Sequence, residues 1–307
     1  MKYNSNTALS EIGVTEDTLT EKQKNDLVNK GYILISLAEN EWLDRGIDLN
    51  LVSNVTNELI EKEGSMGGWE AHDHVQHKLE KGQHPERGAQ RLNNLINKHS
   101  CYRKIFTIPE AVYAAKFLIK NDIALSQLIL RMPFPGTGEQ KWHIDWIPRR
   151  KKSDPIRSVL TSLFLDDFTK ENGATRIVPN THKLLLSPEE QGLGTEDHPD
   201  QIYVEAPRGS LFIYDINLWH CGSRNLNGKK RRQLNINYRD RKIWQQINFK
   251  KELIESVRNE LSYAELYLLK ARDEDKSRKE FLFRHRNNPI IKKMFQILWS
   301  SQRVFES

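Results

Sequence analysis

The chain has 307 residues, of which 37% are hydrophobic and 29% charged, so it is long enough to bury a sizeable core. Its formal net charge is +6, and its two cysteines, Cys101 and Cys221, are too few for a disulfide framework or a cysteine-based zinc site. No run of about 18 uncharged apolar residues occurs and the N-terminus has no apolar secretory signal, so we expect a cytoplasmic protein that does not span a membrane.

The first 120 residues follow a mainly helical pattern. Residues 18–30 are typical of a short capped helix, and YILISL at 32–37 predicts a strand. From 42 to about 120 the apolar spacing is helical, with a glycine-rich break, GSMGGW, at 64–69. The polar, histidine-rich segment that follows the break, at 70–90, predicts a long loop or lid. We therefore interpret 42–120 as helical support and lid.

The pattern changes at about residue 124. Short segments rich in β-branched and aromatic residues follow, separated by clusters of Gly, Pro, Asn and Asp. They read LSQLILRMPF, SVLTSLFLDDF, ATRIVP, QIYVEA, SLFIYDINLWH and QLNINYRDR. No helical pattern of 10–15 residues intervenes, so a sandwich or jelly-roll barrel at about 124–245 is favoured over alternating β-α-β units. FKKELIESVRNEL and EFLFRHRNNPIIKKMFQILWSSQ then predict a helical extension over 246–307, and we interpret 1–307 as one domain, mainly β with flanking helices.

Much of the positive charge lies in two basic runs, RRKK at 149–152 and GKKRR at 228–232. Such charge could attract nucleic acid, an anionic membrane surface or an acidic substrate. Runs of like charge are usually solvated loops, and these runs lack the interleaved aromatic residues typical of nucleic-acid binding. The sequence therefore does not favour a nucleic-acid partner.

Two distant stretches, WHIDW at 142–146 and LWHCGS at 218–223, contain a candidate metal site. Residues i and i+2 of a strand face the same side, so a strand through WHIDW would point His143 and Asp145 together. The alternation of SLFIYDINLWH would place His220 on one face of a second strand. Two imidazoles and one carboxylate on one face of a metal form the facial triad of non-haem Fe(II) oxygenases. A single His-x-Asp also arises by chance, so the triad alone is a weak signal.

Three longer stretches match a known family in order and spacing. FLDDFTKENGATRIVPNTHK at 164–183, LSQLILRMPFPGTGEQKWHIDW at 125–146 and PRGSLFIYDINLWHCGSRNLNGKKRR at 207–232 resemble the phytanoyl-CoA dioxygenase family of Fe(II)/2-oxoglutarate-dependent oxygenases. The resemblance runs from about 18 to 240, with Asn180-Thr181 where the family commonly has Gly-Ser. It implies a double-stranded β-helix core, jelly-roll or cupin-like, with a helical N-terminal region and C-terminal helices.

The resemblance also implies roles for individual residues. His143, Asp145 and His220 match the iron ligands, and the intact carboxylate argues against a halogenase, since those relatives have Ala or Gly at that position. The family's arginine for the distal carboxylate of 2-oxoglutarate lies 11 residues after the second histidine, which is Arg231. Arg232 would take this role if a one-residue bulge occurs, and the sequence leaves both open.

Further contacts are expected around these groups. Gln140 and Thr175 match positions that bind 2-oxoglutarate in some relatives. Arg131, Trp69 and His74 are candidates for substrate contacts, the last two from the predicted lid.

The implied activity is the oxidation of an unactivated C–H bond of a small-molecule metabolite. Fe(II) would be the cofactor, with 2-oxoglutarate and O2 as cosubstrates and succinate and CO2 as products, and the outcome would be hydroxylation, desaturation or ring closure. The basic lid and loops favour a polar or anionic intermediate, for example in natural-product biosynthesis. Two alternatives stay open: an oxygenase that acts on nucleic acid or protein, and an inactive metal-binding interaction module. A monomer and a homodimer are both compatible with the sequence.

Overall fold

The computed structural model describes residues 3–64 and 88–274. Trp69, His74, nearly all of the predicted lid and the second predicted C-terminal helix lie outside these residues. The interpretation of 1–307 as a single domain stays a prediction.

Within the described residues the chain forms nine α-helices, numbered here in chain order. They are α1 Ser5–Glu11, α2 Glu21–Asn29, α3 Glu39–Asp44, α4 Leu49–Glu63, α5 Leu95–Lys98, α6 Pro109–Ile119, α7 Phe249–Glu252, α8 Glu255–Glu260 and α9 Tyr263–Leu268. Short 3₁₀ turns lie at Glu16–Thr18, Ser100–Tyr102, Ile105–Thr107, Lys170–Asn172, Thr181–Lys183 and Glu189–Gln191. None of the helices in the described ranges has both the length and the apolar character needed to cross a bilayer.

The same residues form nine strands, all paired antiparallel. They are β1 Tyr32–Ser36, β2 Ala89–Leu92, β3 Ile123–Pro133, β4 Ser158–Phe164, β5 Arg176–Val178, β6 Ile202–Tyr203, β7 Ser210–Asp215, β8 Trp219–Cys221 and β9 Gln233–Asp240. A large sheet has the order β1-β7-β4-β9-β3-β2, and a small sheet has the order β6-β5-β8. This two-sheet antiparallel core with flanking helices confirms the predicted fold class.

The two faces of the large sheet differ in chemistry, as β9 shows. Leu234, Ile236 and Tyr238 belong to the apolar cluster that packs on α6. Each such buried side chain contributes about 1.5–3 kcal/mol to folding. The alternate residues of β9 are polar and face the interior of the barrel: Gln233, Asn235, Asn237 and Arg239.

Several predicted elements agree with the structure. The capped helix is α2, whose N-cap Thr20 accepts from the backbone N–H of Gln23 while the Gln23 side chain accepts from the backbone N–H of Thr20. YILISL is β1, which pairs with β7 at the edge of the large sheet. The predicted core at 124–245 contains β3 to β9.

The prediction of SLFIYDINLWH as one strand was wrong. The structure divides it into β7 and β8, which lie in different sheets. The Oδ1 atom of Asp215 accepts from the backbone N–H of Asn217 at 2.9 Å, and the Asp215 carbonyl accepts from Leu218 at 2.8 Å. Asp and Asn form such turns readily, and the turn ends the strand where the β-branched and aromatic pattern alone predicts continuation.

Two further predictions were wrong in detail. The region 42–120 contains β2 as well as helices, and this four-residue strand pairs with the end of β3. FKKELIESVRNEL forms α7 and α8 instead of one helix. Asn97 separates them, because its amide donates to the Glu252 carbonyl at 2.7 Å and its Oδ1 accepts from the backbone N–H of Ile254 at 3.2 Å. This long-range contact replaces the next helical turn.

Steric constraints explain why the ENGATR stretch has a glycine at position 173. Gly173 has φ +91°, and a Cβ there would lie 2.7 Å from the Ser223 carbonyl oxygen and 3.1 Å from the Asn225 nitrogen. The chain after β8 therefore runs directly against this turn, on its way to Arg231.

We expect Gly173→Ala to lower the free energy of unfolding by about 3 kcal/mol or more, because the left-handed backbone and the clash add together. Gly192→Ala is the matched control, since Gly192 has φ +74° and no atom within 4 Å of a built Cβ. It should cost about 1–2 kcal/mol, the backbone contribution alone. Urea denaturation of both variants measures the difference, and equal losses would contradict the steric account.

Candidate metal and cosubstrate site

The structure brings His143, Asp145 and His220 together, although not through the predicted geometry. His220 lies in the centre of β8, whereas His143 and Asp145 lie in an extended loop and not in a strand. An isolated bridge joins the loop to β8: the backbone N–H of His143 donates to the His220 carbonyl at 3.0 Å, and the reverse bond is 3.1 Å. The Asp145 N–H donates to the Ile216 carbonyl at 3.2 Å.

Both imidazoles are oriented as metal ligands. The Nδ1 atom of His143 lies 2.8 Å from the Lys141 carbonyl oxygen, and the Nδ1 atom of His220 lies 2.9 Å from that of Leu218. A carbonyl can only accept, so each Nδ1 carries the proton and each Nε2 keeps a free lone pair. Fixing the tautomer in this way is the usual arrangement of a metal-binding histidine.

The three candidate ligand atoms converge on one point. The carboxylate oxygens of Asp145 lie 3.7 Å from Nε2 of His143 and 3.4 Å from Nε2 of His220. The candidate ligand atoms all lie within 4.8 Å of one another. Ligands about 2.1 Å from a metal and at right angles to each other are about 3 Å apart, so small adjustments would close this set around a divalent ion. The donor set fits Fe(II) with open positions on the other face.

The electrostatics of the metal-free site favour cation binding. Burial and the nearby His220 lower the pKa of His143 to about 4, so this imidazole is neutral at physiological pH. Burial opposes charge on Asp145, but His220 and His143 outweigh it and lower the pKa of this carboxyl well below its usual range. Burial also opposes charge on His220, yet Asp145 raises the pKa of His220 above its ordinary value. Asp145 and His220 together thus favour a cation between them, either a proton or a metal ion.

Tyr214 limits the movement of the second imidazole. Its ring lies edge-on to His220 with 5.1 Å between ring centroids. Burial, and the nearby Asp145 carboxylate, raise the pKa of the Tyr214 phenol well above its ordinary value. Tyr214 therefore stays neutral beside the metal ligands.

Arg231 is a buried cation without a carboxylate partner in the part of the chain that the structure describes. It is 1% exposed, its Nη1 donates to Oε1 of Gln233 at 3.1 Å, and its Nε has no acceptor. Its guanidinium carbon lies 4.8 Å from the centroid of the Phe168 ring. Burial, and then the charge of Arg131, lower the pKa of Arg231 to about 9. An uncompensated buried charge costs several kcal/mol, so the site favours an anionic ligand.

Arg131 is a second buried arginine near Arg231. It is on β3, paired in register with Gln233 of β9, and it is buried. Its charge contributes to lowering the pKa of both His143 and Arg231. The interior thus contains at least two guanidinium groups.

Arg232 has a different role from its neighbour. Its Nε and Nη2 form a two-point ion pair with Asp166 at 3.0 and 2.6 Å, and its Nη1 donates to the Ser53 carbonyl and to Asn57, both at 3.0 Å. These bonds attach α4 to the barrel. Of the two arginines that the sequence left open, Arg231 is the one available to a cosubstrate.

Gln140 and Thr175 contact the segments that carry the ligands. The Gln140 N–H donates to the Gly222 carbonyl at 3.0 Å, and its side-chain oxygen accepts from the Gly222 N–H at 3.1 Å. This bond pair anchors the loop before His143 to the end of β8. The carbonyl of Thr175 accepts from Val204 at 2.8 Å, which leaves its hydroxyl as the candidate contact. Their role in cosubstrate binding stays a prediction.

Sequence analysis overlooked the polar residues of β9 that face the interior. The signal was present, because QLNINYRD alternates polar and apolar residues over the whole strand. A half-polar strand is normally solvent-exposed on its polar face, whereas β9 is buried along its whole length.

Comparisons with known proteins show which family and fold this chain resembles. The profile of the family described as Phytanoyl-CoA dioxygenase (PhyH) matches residues 60–233, which is more than half of the chain. An uncharacterised protein of Mycobacterium tuberculosis is 32% identical over 123 residues, covering 40% of this chain and 43% of that protein. The iron/alpha-ketoglutarate-dependent dioxygenase ausU of Aspergillus calidoustus is 29% identical over 142 residues, covering 44% and 46%. The chain thus spans less than half the length of these relatives.

Solved structures share the fold at low sequence identity. EctD from S. alaskensis with bound Fe superposes with a TM-score of 0.54 at 16% identity, covering 74% of this chain and 79% of that one. SnoK, a non-heme alpha ketoglutarate dependent carbocyclase from nogalamycin biosynthesis, has a TM-score of 0.54 at 15% identity, covering 81% and 94%.

Replacing each of the two adjacent arginines in turn should separate cosubstrate binding from fold stability. We expect Arg231→Gln to weaken 2-oxoglutarate binding about 100-fold or more, since charge-assisted hydrogen bonds are lost, and to leave stability unchanged or higher. Arg232→Gln should lower the free energy of unfolding by about 3 kcal/mol by leaving Asp166 unpaired, with binding by the folded protein within about threefold of wild type. Calorimetric titration and urea denaturation measure both quantities, and the reverse pattern would assign the cosubstrate to Arg232.

Iron binding should depend on the proton of His220. The neutral imidazole is the ligand, so below the raised pKa of His220 each unit of pH decrease should weaken Fe(II) binding about tenfold. Above that pKa the affinity should level off, because His143, with a pKa of about 4, is already neutral. Anaerobic chelator competition from pH 6 to pH 9 tests this. An affinity unchanged between pH 6 and pH 7 would contradict it.

Proposed function

The chain belongs to the phytanoyl-CoA dioxygenase family, and from this premise we propose that it is an Fe(II)- and 2-oxoglutarate-dependent dioxygenase. It oxidises an unactivated C–H bond of a small molecule with release of succinate and CO2. The observation that carries the proposal is the presence, in one barrel interior, of a His-Asp-His set with an open face and a buried arginine without a carboxylate partner among the described residues. The His-Asp-His set would bind the metal, and the buried arginine would bind the cosubstrate.

His143, Asp145 and His220 would hold the iron. When bound, Fe(II) supplies the redox chemistry that couples O2 to the oxidative decarboxylation of 2-oxoglutarate and to oxidation of the substrate. The carbonyls of Lys141 and Leu218 keep each Nε2 directed at the metal by accepting the Nδ1 protons. Ligands held in this way would lose little conformational freedom when the metal binds.

Arg231 would bind the distal carboxylate of 2-oxoglutarate. Gln233 and Phe168 hold its guanidinium in one orientation, so little conformational freedom is lost on binding. Arg131, a buried arginine of β3 paired in register with Gln233, adds positive charge to the same interior. Burial strengthens each of these interactions because water is excluded.

The substrate is expected to be polar. The interior face of β9 presents amide side chains where a fatty-acyl substrate would need aliphatic contacts, and Ser162 continues this polar surface on β4 through a 2.9 Å bond to Asn235. Several relatives and neighbours are named as dioxygenases or as enzymes of nogalamycin biosynthesis. A polar or anionic biosynthetic intermediate is therefore the substrate class that we propose.

The alternative of a nucleic-acid substrate is weakened by the arginines of the basic runs. That alternative was motivated by the net charge of +6, but Arg149 pairs with the buried Asp215 at 2.9 Å and Arg150 with Glu190 at 2.8 Å. Arg231 and Arg232 are buried. These arginines are buried or paired with a carboxylate, so they add little to a basic surface, and the exposed charge of the two runs comes mainly from their lysines.

The direct test is an anaerobic titration with Fe(II) and 2-oxoglutarate, followed by the weak visible charge-transfer band of the chelate. We expect the band in wild type, its loss in His143→Ala and at least a tenfold higher half-saturating 2-oxoglutarate concentration in Arg231→Gln. Admission of O2 should then yield succinate. Arg224→Gln, at an exposed arginine paired with Glu139, is the charge control.

Loss of the band in the control would indicate a general electrostatic effect. Absence of the band in folded wild type would contradict the proposed enzyme and favour a binding module.

A further inference from the structure

A second arginine on the interior face of β9 has no part in the chemistry described so far. Arg239 is 3% exposed, and its guanidinium carbon lies 4.6 Å from the centroid of the Trp146 ring and 4.9 Å from that of Trp244. Its Nη1 donates to the Trp244 carbonyl at 3.4 Å. The two indoles hold the guanidinium through cation–π contacts and limit its rotation.

Arg239 orients an amide beside it. Its Nε donates to Oδ1 of Asn237 at 3.1 Å, and the Ser158 hydroxyl donates to the same oxygen at 3.2 Å. Because both donors contact Oδ1, the amide cannot be flipped, and its nitrogen is directed away from them. Asn237 is 1% exposed, and this nitrogen donates to none of residues 3–64 and 88–274. It is not one of the fully enclosed polar atoms that lack a partner, so it reaches the space inside the barrel, where a ligand that accepts a hydrogen bond can bind it.

The same arrangement occurs at the other end of the strand. There Arg231 donates to Oε1 of Gln233, and the Gln233 amide nitrogen donates to Asn235 at 2.8 Å. At each end an arginine orients the amide two residues away on the same face. Arg231 is the residue assigned to the cosubstrate, so the other end is a second site of the same chemical type.

The two arginines contact different parts of the barrel. Arg239 stacks on Trp146, the residue that follows Asp145, whereas Arg231 stacks on Phe168. Within β9 alone, the six positions from Gln233 to Arg239 span roughly 20 Å. A five-carbon cosubstrate held by Arg231 is therefore too short to contact Arg239 as well, so a ligand of Arg239 would be a different anion.

We propose that Arg239 and Asn237 form an oxyanion subsite that binds a carboxylate or phosphate group of the substrate and presents its C–H bond to the metal. This assignment rests on the proposed function. A guanidinium fork beside an amide donor matches the two oxygens of such a group. Arg239 contacts the ring of Trp146, which follows Asp145 in sequence, so the proposed subsite lies near the candidate ligand set.

The test uses small anions as probes on the enzyme loaded with Fe(II) and 2-oxoglutarate without oxygen, so that Arg231 is occupied. Acetate and methyl phosphate are titrated separately at constant ionic strength. Tryptophan fluorescence is recorded, because Trp146 and Trp244 contact Arg239. We expect a saturable change, and the probe that binds more tightly identifies the group. No saturable change with either probe overturns the proposal.

Two variants make the result specific. Arg239→Gln should weaken the binding of the tighter probe about tenfold or more. Asn237→Asp keeps the shape of the side chain but places a carboxylate beside Arg239, and it should weaken binding at least as much. Arg224→Gln removes an exposed charge elsewhere and should stay within about twofold of wild type.

Wild-type affinity in folded Arg239→Gln or in Asn237→Asp overturns the proposal. If Arg239 serves only to hold Trp244 and its loss unfolds the chain, Asn237→Asp still decides, because it keeps the arginine.

The charge-transfer band of the same samples tests the proposed function separately. If wild type lacks the band, the titration is repeated on the metal-free protein. Saturable binding that depends on Arg239 would then support the subsite while contradicting the cofactor chemistry. Loss of the band in Arg239→Gln alone would place Arg239 at the cosubstrate and overturn the subsite.

Discussion

The antiparallel bridge between His143 and His220 is the constraint on which the site depends. Two backbone hydrogen bonds attach an otherwise irregular loop to the centre of β8 and place both imidazoles on the same side. Gln140 and Asp145 bond to the backbone on either side of the bridge, at Gly222 and Ile216. A loop can therefore carry two of three candidate ligands with the precision of a sheet, since its backbone polar groups are satisfied by a strand.

Within the described residues, the interior of the barrel contains three buried arginines, and this has an energetic consequence. They are Arg131, Arg231 and Arg239, and the charge of Arg131 contributes to lowering the pKa of Arg231. Burying such groups destabilises the folded protein unless anions or hydrogen bonds compensate. The apolar cluster between the large sheet and α6 offsets this destabilisation, because it stabilises the same strands from the other face. Binding of anionic cosubstrate and substrate should then stabilise the fold.

Much of the site could be predicted from sequence, and the exceptions have physical causes. The family resemblance pointed to His143, Asp145 and His220, and the structure brings these three residues together. The break after Asp215 was missed, since one side-chain turn can end a strand whose propensity would continue it. The roles of Arg231 and Arg232 could not be separated, because only the position of Asp166, 65 residues or more away in sequence, decides which guanidinium is paired.

The alternation of side chains between the two faces of β9 explains how the same fold can bind different substrates. Its odd-numbered residues face the site and its even-numbered residues face the apolar core, so the two sets can vary independently. Replacing Asn235 or Asn237 alters the surface that a substrate meets, whereas replacing Ile236 alters packing on α6. With Arg231 proposed to bind the cosubstrate at one end, the residues toward Arg239 can change with the substrate. We therefore expect the second half of this strand to determine which substrate is bound.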